Sequence, residues 1–256
     1  MIATPKTSSV LRTMRDLVFP PSCVSCGGIC EDGDLRHVCA RCAPLIFRVK
    51  EPHCVTCGHP YFGPVGGERM CPHCEGLRPI YGRAKTVTLF KGPSRQLILT
   101  LKYHHGLHVL EDIEALVGQN AEMIDFLRGA VLVPIPLHPR KERERGYNQS
   151  ELVAEAFRDA AKPQNLPIAH LLERTVDSPS QTAFDRRTRQ RRMKNAFAAR
   201  KGASITAGQR YVLVDDVFTT GSTLNAAAKA LFGRVWGYRA RADAATYAAL
   251  VQSEVL

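Results

Sequence analysis

Two stretches of this 256-residue chain carry residue types able to do chemistry. The first is Tyr211–Thr223, YVLVDDVFTTGST. An apolar run leads into Asp215 and Asp216, passes Val217 and Phe218, and reaches Thr219, Thr220, Ser222 and Thr223 around Gly221. Glycine lets the backbone turn sharply. Amides at the start of a following helix, with the hydroxyls, make a cradle for a phosphate. Ionised carboxylates only accept hydrogen bonds, which suits adjacent sugar hydroxyls. One ligand satisfies both ends: a ribose with a phosphate on one side and two free hydroxyls on the other. A polar capped turn uses the same residue types. A nucleotide P-loop is the other competitor, but no G-x-x-x-x-G-K-[ST] occurs.

The second stretch holds all nine cysteines, between Cys23 and Cys74. Eight form Cys-x-x-Cys knuckles. Cys23 and Cys26 are followed after twelve residues by Cys39 and Cys42; Cys54 and Cys57 are followed after thirteen by Cys71 and Cys74. A two-residue gap turns both thiolates onto one metal, and two knuckles complete a tetrahedron. The spacing predicts two structural zinc ribbons in tandem, each site closed by four thiolates. A cross-braced pairing of first knuckle with third is the alternative. Disulfides are disfavoured in a reducing compartment, and no strand–helix unit frames a knuckle for thioredoxin-like redox work. Cys30 is the ninth cysteine, and His37, His53, His59 and His73 stand nearby without being needed as ligands. So small a region lacks a core of its own, and metal binding would supply the missing stability.

The elements that must position these residues divide the chain near residue 80. Residues 1–80 are expected to hold a short N-terminal amphipathic helix, with Leu11, Met14, Leu17 and Val18 on one face, and the double ribbon. Residues 81–256 contain no cysteine and alternate strand-like and helix-like patterns. Strands are predicted at Lys85–Phe90, Ala130–Ile135, Ile168–Glu173, Tyr211–Val214 and Arg234–Ala242. Helices are predicted at Ser94–Tyr103, Val109–Leu127, Asn148–Ala161 and Leu224–Phe232. Asn148 with Glu151 resembles a capping box. Such alternation predicts an α/β fold, a parallel sheet with helices on both faces. Ligands of such sheets bind beyond the carboxyl ends of the strands, where a strand ending at Asp215 would deliver the acidic pair.

No apolar run approaches 18 residues, so no membrane span is expected. The apolar stretch after Arg12 and Arg15 is too short for a signal-peptide core. A cytoplasmic protein with reduced thiols is expected. The net charge of +11 is open between polyanionic partners, either nucleic acid or phosphate-rich small molecules, and a soluble protein that is simply basic.

Taken together, Asp215–Thr223 resembles the phosphoribosyl-pyrophosphate (PRPP) signature of type I phosphoribosyltransferases, with Phe218 bulkier than the usual aliphatic residue. Upstream, VLVPIPLHPRKERERGYNQSE (Val131–Glu151) has a Pro-x-Pro like that of the pyrophosphate loop in that fold. There the resemblance implies that Leu137, His138, Arg140 and Lys141 face the diphosphate. The Val-Pro-x-Pro-Leu and Arg-Gly-aromatic-Asn-Gln runs are similar to the ComF family, bacterial proteins linked to DNA uptake. LKYHHG (Leu101–Gly106) and SPSQTAFDRRTRQRRMKNAF (Ser178–Phe197) extend the likeness over nearly the whole chain. Arg192 stands where that family usually has Asn. In the family a double zinc ribbon precedes a phosphoribosyltransferase domain. The second region also resembles glutamine amidophosphoribosyltransferases, in which this stretch is a flexible loop over PRPP. Position 2 is Ile, and a glutaminase domain is not recognisable, so glutamine-dependent amination is not expected.

The resemblance implies a PRPP-dependent transfer with release of pyrophosphate. Asp215 and Asp216 would hold the ribose, and Val217–Thr223 the 5′-phosphate. Arg140, Lys141 and Arg189 would stabilise departing charge, and Mg²⁺ would accompany the ligand with few protein donors. The acceptor is not specified by any residue. Arg186–Lys194 carries six positive charges in nine residues. It is open as a solvated face, as a phosphate clamp through Arg189 and Lys194, or as a track for a nucleic-acid backbone through Arg186, Arg187, Arg191, Arg192 and Lys194. The alternative function is a non-catalytic module that binds single-stranded DNA or senses PRPP and partners a DNA-translocating helicase.

Overall fold

A computed structural model describes residues 16, 18–30, 33–61, 69–77, 79–176, 196–206, 208–232 and 241–249. The described helices are α1 (Pro72–Leu77), α2 (Gly92–Tyr103), α3 (Leu110–Gly118), α4 (Ala121–Leu127), α5 (Pro139–Arg145), α6 (Gln149–Ala160) and α7 (Ser222–Phe232). The strands are β1 (Ala84–Leu89), β2 (Ala130–Pro134), β3 (Leu172–Arg174), β4 (Phe197–Ala199), β5 (Arg210–Phe218) and β6 (Arg241–Ala249). Four strands form a parallel sheet in the order β1-β6-β5-β2. Successive side chains of a strand face opposite sides, and β5 shows what that does here. Val212 and Val214 join the core made with α2, α3, α4 and α6, while Tyr211 and Leu213 join the core made with α7. Helices therefore cover both faces, as the apolar runs of β2 and β5 predict.

The cysteine region is fused to this body. Cys23, Leu35, Val38, Cys39, Cys42 and Ile46 belong to the first core, and Cys54, Cys57, Cys71, Cys74 and Tyr81 to the second. The intervening chain pairs with β1: Val49 N–H donates to Val87 O at 3.0 Å, and Leu89 N–H to Phe47 O at 2.8 Å. Ala84 N–H donates to Thr56 O at 2.7 Å. The outer edge of β1 is thereby paired rather than left as an open template.

Several elements differ from the sequence expectation. Val109–Leu127 is two helices, because Asn120 leaves helical geometry and its side chain accepts from Met123 N–H as the cap of α4. The capping hydrogen bond of Asn148 goes to Ser150 N–H, while Glu151 pairs with His170 at 3.3 Å instead of closing a capping box. Ile168 reaches β2 through a single parallel bridge with Leu132, and the regular strand of that segment is only Leu172–Arg174. Leu137–Arg145 is not wholly a loop: α5 begins at Pro139, and His138 Nδ1 accepts from Arg140 N–H. The last described strand is Arg241–Ala249 rather than Arg234–Ala242; residues 234–240 lie outside the described residues, as do Leu11, Met14 and Leu17. Val18, expected on an apolar helix face, is 68% exposed. Among the described residues, no helix is long and apolar enough to cross a membrane.

Candidate functional site

The cysteines sort into the tandem arrangement. Cys23, Cys26, Cys39 and Cys42 bring their Sγ atoms within 4.8 Å of one another, and so do Cys54, Cys57, Cys71 and Cys74. Four sulfurs at about 2.3 Å from a tetrahedral zinc lie about 3.8 Å apart. The observed Sγ–Sγ separations are 3.7 Å for Cys26–Cys39, 3.7 Å for Cys57–Cys71 and 4.0 Å for Cys54–Cys74. Backbone amides support the sulfurs: Cys39 N–H donates to Cys23 Sγ and Cys71 N–H to Cys54 Sγ. The tetrads therefore fit zinc, and with four protein ligands apiece their role is structural. Neither tetrad includes a histidine. Cys30 is buried but outside both, and burial pushes its thiol up to about 12.

The acidic pair sits where the sheet steps down. β2 pairs with β5 only as far as Pro134 opposite Val214, with one further bond from Ile135 N–H to Val214 O at 2.9 Å. Pro136 has no N–H to continue the ladder. β5 does not end at Asp215 as the sequence suggests. It runs on beside β6 to Phe218, because main-chain pairing with Thr246, Ala248 and Ala249 continues whatever the side chains carry. Asp215 and Asp216 thus lie on an overhang at the carboxyl end of the sheet, and both are buried.

Two residues the sequence reading did not single out attend them. Ser150, at the start of α6, donates its hydroxyl to Asp215 Oδ1 at 2.9 Å, and the Asp216 N–H donates to the same oxygen at 2.9 Å. Lys102, from the last turn of α2, makes an ion pair with Asp216 Oδ2. The two carboxylates are consequently unlike. Burial, then the neighbouring Asp216 charge, pushes Asp215 up to about 7. Burial opposes ionisation of Asp216 as well, but Lys102 outweighs it and holds that carboxyl below its ordinary value. The signals for both helpers lay in the motifs: Lys102 belongs to LKYHHG, and Ser150 follows directly on GYNQ.

Those motifs meet in space. Arg145 ends α5, and Gly146 caps it at φ +82°, a left-handed turn that glycine adopts without strain. Tyr147 then donates its hydroxyl to Leu101 O, Asn148 Nδ2 donates to Ile135 O at 3.0 Å, and Arg145 donates to Gln149 Oε1. The Arg145 guanidinium lies 5.7 Å from the ring centre of Tyr103, and the rings of His105 and Tyr147 meet edge-on at 6.0 Å. Arg145-Gly146-Tyr147-Asn148-Gln149 therefore works as a fastening that ties α2 and α6 to the end of β2. It fixes the two helices from which Lys102 and Ser150 reach the aspartates.

Beyond Phe218 the chain turns through Thr219–Gly221, with Gly221 at φ +68°, into α7. The Thr220 and Ser222 hydroxyls are 2.9 Å apart, and Ser222 N–H points to Thr220 Oγ1 at 3.4 Å. Asn225 N–H donates to Gly221 O, so helical bonding begins at the glycine. Thr220, Gly221 and Ser222 are buried, whereas Val217, Thr219 and Thr223 are half-buried. On α5, Arg140 pairs with Glu144 at 2.9 Å on an exposed face; Leu137, His138 and Lys141 are half-buried. Arg186, Arg187, Arg189, Arg191, Arg192 and Lys194 lie outside the described residues. The chain on either side of that run is joined by the antiparallel pair β3–β4 and by Thr175 N–H to Ala196 O.

Comparison with known proteins supplies the remaining observations. Residues 14–75 match the family model described as a double zinc ribbon domain. The chain is 30% identical over 200 residues to the DNA utilization protein YhgH of Salmonella typhimurium, covering 73% of this chain and 80% of the relative. It is 26% identical over 207 residues to competence protein F of Haemophilus influenzae, covering 75% and 90%. It is also 24% identical over 202 residues to competence protein ComFC of Bacillus subtilis, covering 77% and 78%.

Proposed function

The chain belongs to the ComF family, and from that premise we propose that it is a PRPP-binding, phosphoribosyltransferase-like protein of DNA uptake. The observation that carries the reading is the succession along one overhanging strand: paired carboxylates, then a left-handed glycine flanked by hydroxyls, then a helix N-terminus. An anion is stabilised by the amides at such a terminus. The names of the relatives, competence and DNA utilization proteins, support the biological setting.

In this reading Val217–Thr223 bind the 5′-phosphate, with Gly221 keeping the backbone open to it. Asp216, already ionised, and Asp215, oriented by Ser150, accept the ribose hydroxyls. Magnesium would accompany the ligand, held by its hydroxyl and phosphate oxygens and by water with few protein donors, and it would neutralise diphosphate charge. Leu137 and His138, with Arg140, Lys141 and Arg189, face the departing diphosphate. The Arg140–Glu144 ion pair lies on an exposed face, where such a pair is worth little in water. The protein's contribution to transfer is position and charge stabilisation at the anomeric carbon. The cytoplasm, where thiols stay reduced, is the compartment that suits the tetrads.

A melting-shift titration tests the reading. PRPP with magnesium should raise Tm, and Asp216→Asn should abolish the shift; no shift in the wild type removes the reading. Pyrophosphate release with a panel of bases and amines then separates an enzyme from a PRPP sensor. The second reading, a module for single-stranded DNA and a DNA-translocating helicase, is supported by the +11 charge and by the relatives' names. It predicts DNA affinity that falls steeply with salt; salt-insensitive binding would count against it.

A further inference from the structure

Lys102 is the one charged partner of Asp216 among the described contacts, and its side chain is only 20% exposed against 5% for the aspartate. Nothing in the reading above gives it a role toward ligand. A neutral sugar hydroxyl that displaced the ammonium would leave a buried carboxylate without a counter-charge, which is strongly unfavourable. The ammonium therefore stays when ligand enters. It carries three N–H donors, and the ion pair with Asp216 engages one. In a ribose 5-phosphate 1-diphosphate the diphosphate is bonded to the carbon next to the first hydroxyl-bearing one. A cation sitting on the carboxylate that receives a ribose hydroxyl is thus within reach of the diphosphate oxygens.

We propose that Lys102 bridges Asp216 and the ligand's 1-diphosphate, so that it selects the diphosphate-bearing sugar over the plain sugar phosphate. The inference rests on the reading of the site given above. It makes α2, which follows directly on β1, part of the ligand site. The fastening of Leu101 by Tyr147 and of Tyr103 by Arg145 then has a purpose: it holds the last turn of α2 so that Lys102 addresses β5.

The test is calorimetric titration of the full chain, zinc loaded, with PRPP and with ribose 5-phosphate, both with magnesium. The wild type should prefer PRPP. In Lys102→Met, PRPP affinity should fall at least tenfold while ribose 5-phosphate affinity stays within about twofold, and Lys102→Arg should restore part of the preference. If both ligands weaken equally, Lys102 serves only to hold Asp216 and the inference is wrong. Unchanged affinities for both also overturn it. A wild type that binds neither ligand sinks the proposed function itself, a result distinct from the other two. Should Lys102→Met fail to retain two zinc ions and a cooperative melt, Lys102→Gln, which still donates to Asp216, carries the same expectation and the same refuting outcomes.

Discussion

Asp112 of α3 receives His37 twice: the backbone N–H at Oδ1, 2.9 Å, and the ring Nδ1 at Oδ2, 2.8 Å. Asp112 is fully buried, and His37 also lies against the His108 ring, with centroids 4.5 Å apart. His37 falls between the second and third cysteines of the first tetrad. This pair is therefore a buried polar fastening between that ribbon and the α/β body. Asp112→Ala strands a buried N–H and an imidazole, and should cost about 2–3 kcal/mol. Denaturant unfolding measures the loss, and an unchanged midpoint would show that the apolar contacts alone hold the ribbon.

Zinc content should be two per chain. Cys54→Ser should release one ion and lower Tm, because metal binding and folding are coupled in such small ribbons. Cys30→Ser should keep both ions, since Cys30 lies outside each tetrad. Colorimetric metal release after denaturation reads the stoichiometry directly. A drop to one ion in Cys30→Ser would make the ninth cysteine a ligand.

Asp215 gives the protein a pH signature. Its folded value, about 7, lies above the ordinary aspartate value of 3.8. Between those limits the folded state binds more protons than the unfolded, so stability falls as pH rises from about 4 to about 7. The loss is at most about 1.4 kcal/mol per pH unit. Asp215→Asn cannot titrate and should flatten that slope. Denaturation midpoints of both proteins from pH 4.5 to 7.5 check it; parallel curves would mean that Asp215 is ionised throughout.

Gly221→Ala places a Cβ in the left-handed region, where an L-residue costs roughly 1–2 kcal/mol. It also narrows the approach to the N-terminus of α7. Tm should fall by a few degrees, and the PRPP-induced shift should shrink far more than Tm does. A variant with lowered Tm but an intact PRPP shift would place the phosphate elsewhere.

The legible features were those set by local pattern. Cys-x-x-Cys spacing gave the tetrads, because ligand geometry depends on a handful of neighbouring residues. The apolar runs Ala130–Ile135 and Tyr211–Val214 gave the buried strands, because the interior of a parallel sheet tolerates little else. The continuation of β5 through two carboxylates was not visible locally: it depends on β6 pairing alongside and on Lys102 and Ser150 supplying compensation from distant helices. The apolar residues before and after Asn120 keep a helical spacing across it, so one long helix was expected where a capping side chain starts a second. The LKYHHG motif pointed to the segment that holds Lys102 but not to its role, since a lysine near a helix end otherwise looks ordinary.

The strand order holds one more consequence. β6 lies between β1 and β5 although both precede it in the chain, and among the described strands it alone pairs β1 with the rest of the sheet. During synthesis the ribosome delivers the outer pieces first and the central one afterwards. Without β6, the order leaves β1 on one side and the β2–β5 pair on the other, with no described strand to join them. Among the described strands, Asp215–Phe218 pair with β6 alone. The overhang that carries the acidic pair is thus completed only when the last described strand arrives, and until then the edges of β1 and β5 that β6 will fill are open templates for other chains.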